Sequence, residues 1–178
     1  MDGSSEVLSI NWSGKLQVKS ASGEKLWDSI DRFAASFDYL KGAITDDAVS
    51  RPGREVRKKV YLNAPILIAD LNQDGRPEVI VNKNVGALRS IIDINFFGKS
   101  EVYSLSWNGI TIVENWHTPA FDGMTTAYNL ADLNGDGGSE LLVALVSNPG
   151  TEVWAKAKSR VVVYPIAGGG KEKGQGPS

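Results

Sequence analysis

Asp70-Leu-Asn-Gln-Asp-Gly-Arg-Pro-Glu78 returns later in the chain as Asp132-Leu-Asn-Gly-Asp-Gly-Gly-Ser-Glu140. Both stretches read Asp-Leu-Asn-x-Asp-Gly-x-x-Glu. Pro65-Ile-Leu-Ile-Ala69 leads into the first copy and Val79-Ile-Val81 leads out. Ala127-Tyr-Asn-Leu-Ala131 and Leu141-Leu-Val-Ala-Leu145 flank the second in the same way. The flanks are short and rich in β-branched or aliphatic residues, which predicts strands on both sides of each loop.

The spacing has a physical reason. Oxygen side chains at loop positions 1, 3 and 5 point inward when the backbone curls around a hard cation, and Gly at position 6 permits the sharp turn. The position-7 carbonyl can add an oxygen, and the position-9 carboxylate closes the shell. The candidate ligands are therefore Asp70, Asn72, Asp74, the Arg76 carbonyl and Glu78, then Asp132, Asn134, Asp136, the Gly138 carbonyl and Glu140. An all-oxygen, anionic set suits Ca2+, which takes six to eight oxygens, better than Mg2+, which keeps more of its water. An EF-hand needs a Glu at position 12 and flanking helices. Position 12 is Val81 in one loop and Val143 in the other, so that reading fails. A plain polar turn also favours Asp, Asn and Gly. Two copies with matching flanks speak against so bland a reading.

A second pattern repeats around the first. Glu6-Val-Leu-Ser-Ile-Asn-Trp-Ser-Gly14 matches Glu101-Val-Tyr-Ser-Leu-Ser-Trp-Asn-Gly109. Alternating apolar and polar residues ending in a glycine turn predict a strand entering a hairpin. The return strands are expected at Lys15–Lys19 and Ile110–Val113, with Trp12 and Trp107 as packing aromatics at matching places. A last strand is expected at Arg160–Tyr164. The hairpins lie further apart than the acidic loops, so an insertion is expected between Leu26 and Lys59. Within it Leu26, Ile30, Phe33, Phe37, Leu40 and Ile44 recur at helical spacing, whereas Gly23-Glu-Lys-Leu-Trp27 resembles a hairpin entering an outer strand. Residues 28–44 are thus open between a short helix and an irregular strand. An exposed loop is expected over 45–58, its basic end from Arg51 to Lys59 solvated, and a disordered Gly-rich tail over 168–178.

Composition excludes several classes. The 178 residues suffice for a substantial core, and 19 Lys+Arg balance 21 Asp+Glu, with no basic stripe for nucleic acid. Cys is absent, so neither disulfides nor thiolate metal sites are available. No apolar run approaches membrane-spanning length. The first residues show no secretory leader, so the chain is expected either to stay inside the cell or to be a mature or excised part of a longer exported protein. A single His, His117, no nucleophile elbow and no phosphate-cradling loop give no support to an enzyme.

The acidic loops between strands resemble the FG-GAP or VCBS-type repeats of β-propellers, as in integrin α-subunits and bacterial exported repeat proteins. The resemblance spans roughly residues 6–166. It implies an all-β fold built from four-stranded antiparallel blades, each with its innermost strand running into a Ca2+ loop. The units would be a partial blade plus insertion over 1–59, a full blade over 60–118 and a blade lacking its outer strand over 119–167. Such a count of two to three blades is an incomplete propeller, so the remaining blades or neighbouring subunits are expected partners. The function implied is a calcium-stabilised binding or scaffold module, extracellular or periplasmic, with a protein or glycan ligand and a role in adhesion. Trp116, Phe121 and Tyr128 are candidate ligand contacts or, equally, blade-packing aromatics. The alternative is a metal-dependent propeller hydrolase or lyase.

Overall fold

The computed structural model describes residues 5–36, 38–44, 57–85, 97–147 and 157–166. Among these residues there is no helix, and the strands form four antiparallel sheets, none of them closed.

The first sheet joins β1 (Glu6–Ile10), β2 (Lys15–Ser20) and β3 (Lys25–Arg32) as a meander. Its first turn is held by Asn11, whose Oδ1 accepts the N–H groups of Ser13 and Lys15 at 2.9 and 3.0 Å. That turn points Trp12 outward, where it is 98% exposed. Trp12 is therefore not a packing residue, whereas its counterpart Trp107 is half-buried. The difference comes from the turn: the second hairpin is organised two positions later, by Asn108, whose Oδ1 accepts from Ile110 and Thr111.

The second sheet is a two-stranded pair, β4 (Tyr39–Ile44) with β5 (Arg57–Tyr61). Where they are described, residues 28–44 thus hold the end of β3, an irregular stretch over 33–36 and β4, and no helix. The helical spacing of Leu26, Ile30 and Phe33 misleads, because pairing with β2 takes over the backbone and leaves Ile30 94% exposed. Arg57 and Lys58, expected in the loop over 45–58, open β5 instead. Residues 45–56 and 168–178 lie outside the described residues.

The third sheet carries the first acidic loop. Its path is β6 (Leu67–Ala69), β7 (Glu78–Val85), β8 (Lys99–Trp107), then β9 (Ile112–His117) and the short β10 (Phe121–Asp122) side by side along the far edge of β8. The fourth sheet repeats the arrangement around the second loop: β11 (Met124–Ala131), β12 (Glu140–Ser147) and β13 (Lys158–Pro165).

Strand alternation decides what packs where. The β8 face carrying Tyr103 meets the end of β3, where Phe33 and Tyr103 stand edge to face at 5.7 Å and Lys83 pairs with Asp31 at 2.7 Å. The opposite face, with Ser100 and Ser104, meets the fourth sheet. There Ser100 Oγ and Thr125 Oγ1 lie 2.8 Å apart, and Trp116 stacks on Tyr164. Asn84 stitches this contact: its amide donates to the Ala35 and Thr125 carbonyls, and its Oδ1 accepts from Thr125 N–H. The core follows from this layering. Ile80, Val81, Val102, Leu141 and Val143 are fully buried, each contributing about 1.5–3 kcal/mol by removal from water.

Candidate metal centre

Both acidic loops connect a first strand to a second. Asp70 follows β6 directly and Glu78 is the first residue of β7; Asp132 follows β11 and Glu140 opens β12. The sequence dictates this locally. Short Asp and Asn side chains reach back to nearby N–H groups and turn the backbone before strand pairing resumes.

In the first loop Asp70 accepts from Asp74 N–H at 3.1 Å and, through its other oxygen, from Gly75 N–H at 2.9 Å. Asn72 Oδ1 accepts from Asp74 N–H at 2.9 Å, and Asp74 Oδ1 accepts from Arg76 N–H at 2.8 Å. Leu71 N–H donates to Glu78 Oε2 at 2.6 Å, closing the ring. The second loop reproduces this skeleton. Gly137 N–H donates to Asp132 at 2.9 Å, Asp136 N–H to Asn134 at 2.8 Å, Gly138 N–H to Asp136 at 2.7 Å and Leu133 N–H to Glu140 at 2.8 Å.

The backbone agrees as well. Gly75 and Gly137 at position 6 take φ of 82° and 86°. Position 4 is left-handed too, at 59° for Gln73 and 76° for Gly135. That requirement does not follow from the ligand pattern, yet the glycine in the second copy signals it.

The loops differ in how tightly they gather their carboxylates. Ligand oxygens of Asp70, Asp74 and Glu78 lie within 4.8 Å of one another. Ca2+–oxygen bonds run about 2.3–2.6 Å, so oxygens at that separation can share one ion. Asp132, Asp136 and Glu140 do not reach the same mutual spacing. Between them sits the Asn134 amide, donating to Asp136 Oδ2 and Glu140 Oε1, both at 2.9 Å. Asn72 makes only the first of these bonds, to Asp74 Oδ2 at 3.2 Å. Arg76 and Gly138 are tied in through their N–H groups, which fixes the peptides next to the carbonyls assigned to the shell.

The two loops share a cleft of about 730 Å3, with Asp70 and Asn72 on one wall, Asp136 and Glu140 on the other and Ile166 beside them. The remaining candidates lie elsewhere. His117 is exposed, stacked on Tyr103 at 5.1 Å and paired with Glu114 at 2.7 Å. Tyr128 is buried and donates its hydroxyl to the Pro65 carbonyl, while Trp116 and Phe121 pack on the core. Tyr128 is thus held inside the sheet stack, while Trp116 and Phe121 are half-buried against it. Compared with known proteins, the chain matches no family model, no curated protein and no solved structure.

Proposed function

We propose that the chain is a calcium-stabilised β-repeat module, built of propeller-type blades, that serves as a binding or scaffold domain of an exported protein. The observation that carries this reading is the common hydrogen-bond skeleton of the two loops, each set where one strand hands over to its neighbour. Ligands from both sides of that handover tie the two strands together when an ion is bound. Asp70, Asn72, Asp74 and Glu78, with the Arg76 carbonyl, would hold one ion. Asp132, Asn134, Asp136 and Glu140, with the Gly138 carbonyl, would hold the other. The ion supplies positive charge where three carboxylates otherwise repel across a few ångströms.

Calcium at the levels found outside the cytosol suits weak modules of this kind, and that supports an extracellular or periplasmic location. A ligand that binds only the folded state adds RT ln(1 + [L]/Kd) to stability. Removing calcium with a chelator should therefore lower the thermal midpoint, and adding calcium back should restore it, with up to two ions bound per chain. A midpoint that ignores both chelator and calcium, in protein free of calcium by elemental assay, would end the proposal.

A further inference from the structure

We propose that the cleft between the first and second sheets binds an acidic sugar, with Trp12 stacking on the ring and Arg32 pairing with its carboxylate. The cleft has a volume of about 640 Å3, within the roughly 300–1,000 Å3 of small-molecule sites. It shares no residue with the cleft between the acidic loops. The inference gives the proposed binding role its ligand class and rests on that role, not on the metal.

The repeated hairpin places two tryptophans at one position and treats them differently. Trp107 is half-buried, whereas Trp12 stands in water at the rim of this cleft. Folding does not explain an exposed indole, since removing one from water is favourable. Nor is its turn loose. Asn11 Oδ1 accepts from Ser13 N–H, Ser13 Oγ and Lys15 N–H, and Phe33 N–H donates to the Gly14 carbonyl at 2.8 Å. A Cβ built at Gly14 would lie 3.6 Å from Arg32 Cβ, so the turn sits directly against the end of β3. The backbone that carries Trp12 is thus fixed beside the one that carries Arg32, and less freedom is lost on binding.

Charge and polarity select the ligand. Among the described residues that line the cleft, Arg32 is the only charged one, and it makes no ion pair with a described residue. An anion is therefore favoured, and a planar guanidinium takes a carboxylate through two parallel N–H donors. Buried Phe33 and half-buried Tyr61 form an apolar wall. Asn63 offers an exposed amide, and Ser13 Oγ, which donates to Asn11, keeps lone pairs for a hydroxyl. The Trp12 side is open, so a ligand there keeps one edge in water, and a wholly apolar ligand gains little. A pyranose ring has an apolar C–H face for the indole and a rim of hydroxyls for the amide and for water. A uronic acid adds the carboxylate that Arg32 calls for.

NMR of the full chain in calcium, following the tryptophan indole N–H signals and the Ser13 and Asn63 backbone amides, tests this. The probes are the methyl glycosides of glucuronic, galacturonic and mannuronic acid, each beside its neutral hexose. At least one uronate should move the Trp12 signal saturably, with a millimolar Kd, and its neutral counterpart should bind several-fold more weakly. Trp12→Ala should abolish the amide shifts with the far-UV circular dichroism intact, since the side chain packs on little. Arg32→Gln should erase the preference for the uronate and leave both sugars bound weakly. No saturable shift with any uronate overturns the proposal, as does an unchanged preference in Arg32→Gln. A Trp12 signal that broadens only with vesicles of phosphatidylcholine and phosphatidylglycerol assigns the indole to a membrane surface and overturns it too. A calcium-dependent thermal midpoint without uronate binding breaks this inference alone, and uronate binding by a chain whose midpoint ignores calcium breaks the metal reading alone.

Discussion

In the first acidic loop the closing carboxylate, Glu78, is 4% exposed and Leu71 beside it packs on the core. In the second, Glu140 is half-buried and the matching Leu133 is exposed. The first loop ends Arg76-Pro77-Glu78, where the proline ring fixes φ; the second ends Gly138-Ser139-Glu140, where nothing does. One pattern thus yields a loop anchored to the core and a loop resting on the surface. The comparison teaches that ligand spacing alone does not set a site's stiffness. The residue at position 2 does, through what it packs against. An anchored loop has its ligands pre-arranged and loses less freedom on binding.

The largest test of this difference removes the closing carboxylates in the absence of metal. Glu78→Ala strips the Leu71 N–H of its acceptor and opens space in a buried site, which should cost about 2–4 kcal/mol. Glu140→Ala acts near the surface, where water replaces the lost acceptor, and should cost about 1 kcal/mol or less. Urea denaturation in chelator measures both. Equal costs would mean that the loops are equally anchored.

Tyr128 joins the two halves of the comparison. It lies on β11, the strand that feeds the second loop, and its hydroxyl holds the Pro65 carbonyl just before β6, which feeds the first. Burial pushes its phenol up to about 12. The folded state keeps the proton after the unfolded chain, titrating near 10, has lost it. The contribution is complete below pH 10 and is lost as pH rises from about 10 to about 12, by about 1–3 kcal/mol. Stability against pH should therefore fall across that window in the native chain, and the fall should be shallower in Tyr128→Phe. If both chains show the same slope, the hydroxyl does not couple the strands.

Binding should then separate the loops. Filling the second loop means turning the Asn134 amide away from both Asp136 and Glu140, against the single such bond of Asn72. One additional hydrogen bond lost, at about 0.5–1.5 kcal/mol, makes the second site weaker by roughly two- to tenfold. Calorimetric titration should show a tighter step that disappears in Asp74→Asn and a weaker one that disappears in Asp136→Asn. Two identical sites would contradict the reading.

Much of this molecule is legible in its sequence, for local reasons. The acidic loops, the strands on each side of them and both hairpins follow from period-two alternation and from turn residues with specific roles. What is not legible depends on distant partners. Leu26, Ile30 and Phe33 keep a helical rhythm that only pairing with β2 overrides. Trp12 and Trp107 occupy the same place in one pattern, yet one faces solvent because Asn11 turns the chain two positions earlier. Within the site, the ligand types were readable, but the burial of Glu78 was not, because it rests on Leu71 reaching the core. The contact of Asn84 with Thr125 spans two sheets and leaves no mark in either strand.

Position 4 gives the smallest and most local comparison. Both loops need left-handed backbone there, but Gln73 supplies it at 59° with a side chain and Gly135 at 76° without one. A left-handed non-glycine residue costs roughly 1–2 kcal/mol, offset in part by the roughly 0.5–1 kcal/mol of extra chain entropy that glycine loses on folding. Space is not the issue, since a Cβ at Gly135 would meet nothing within 4 Å. Gln73→Gly should therefore raise stability by about 0.5 kcal/mol or leave it level, and Gly135→Gln should lower it by about the same amount. Exchanging the two residues also exchanges their rigidity, so the calcium affinities should move towards each other in the double variant. If instead Gln73→Gly destabilises the chain, the Gln73 side chain contributes more than its backbone strain removes, and the first loop owes part of its stiffness to that residue rather than to Leu71 and Pro77.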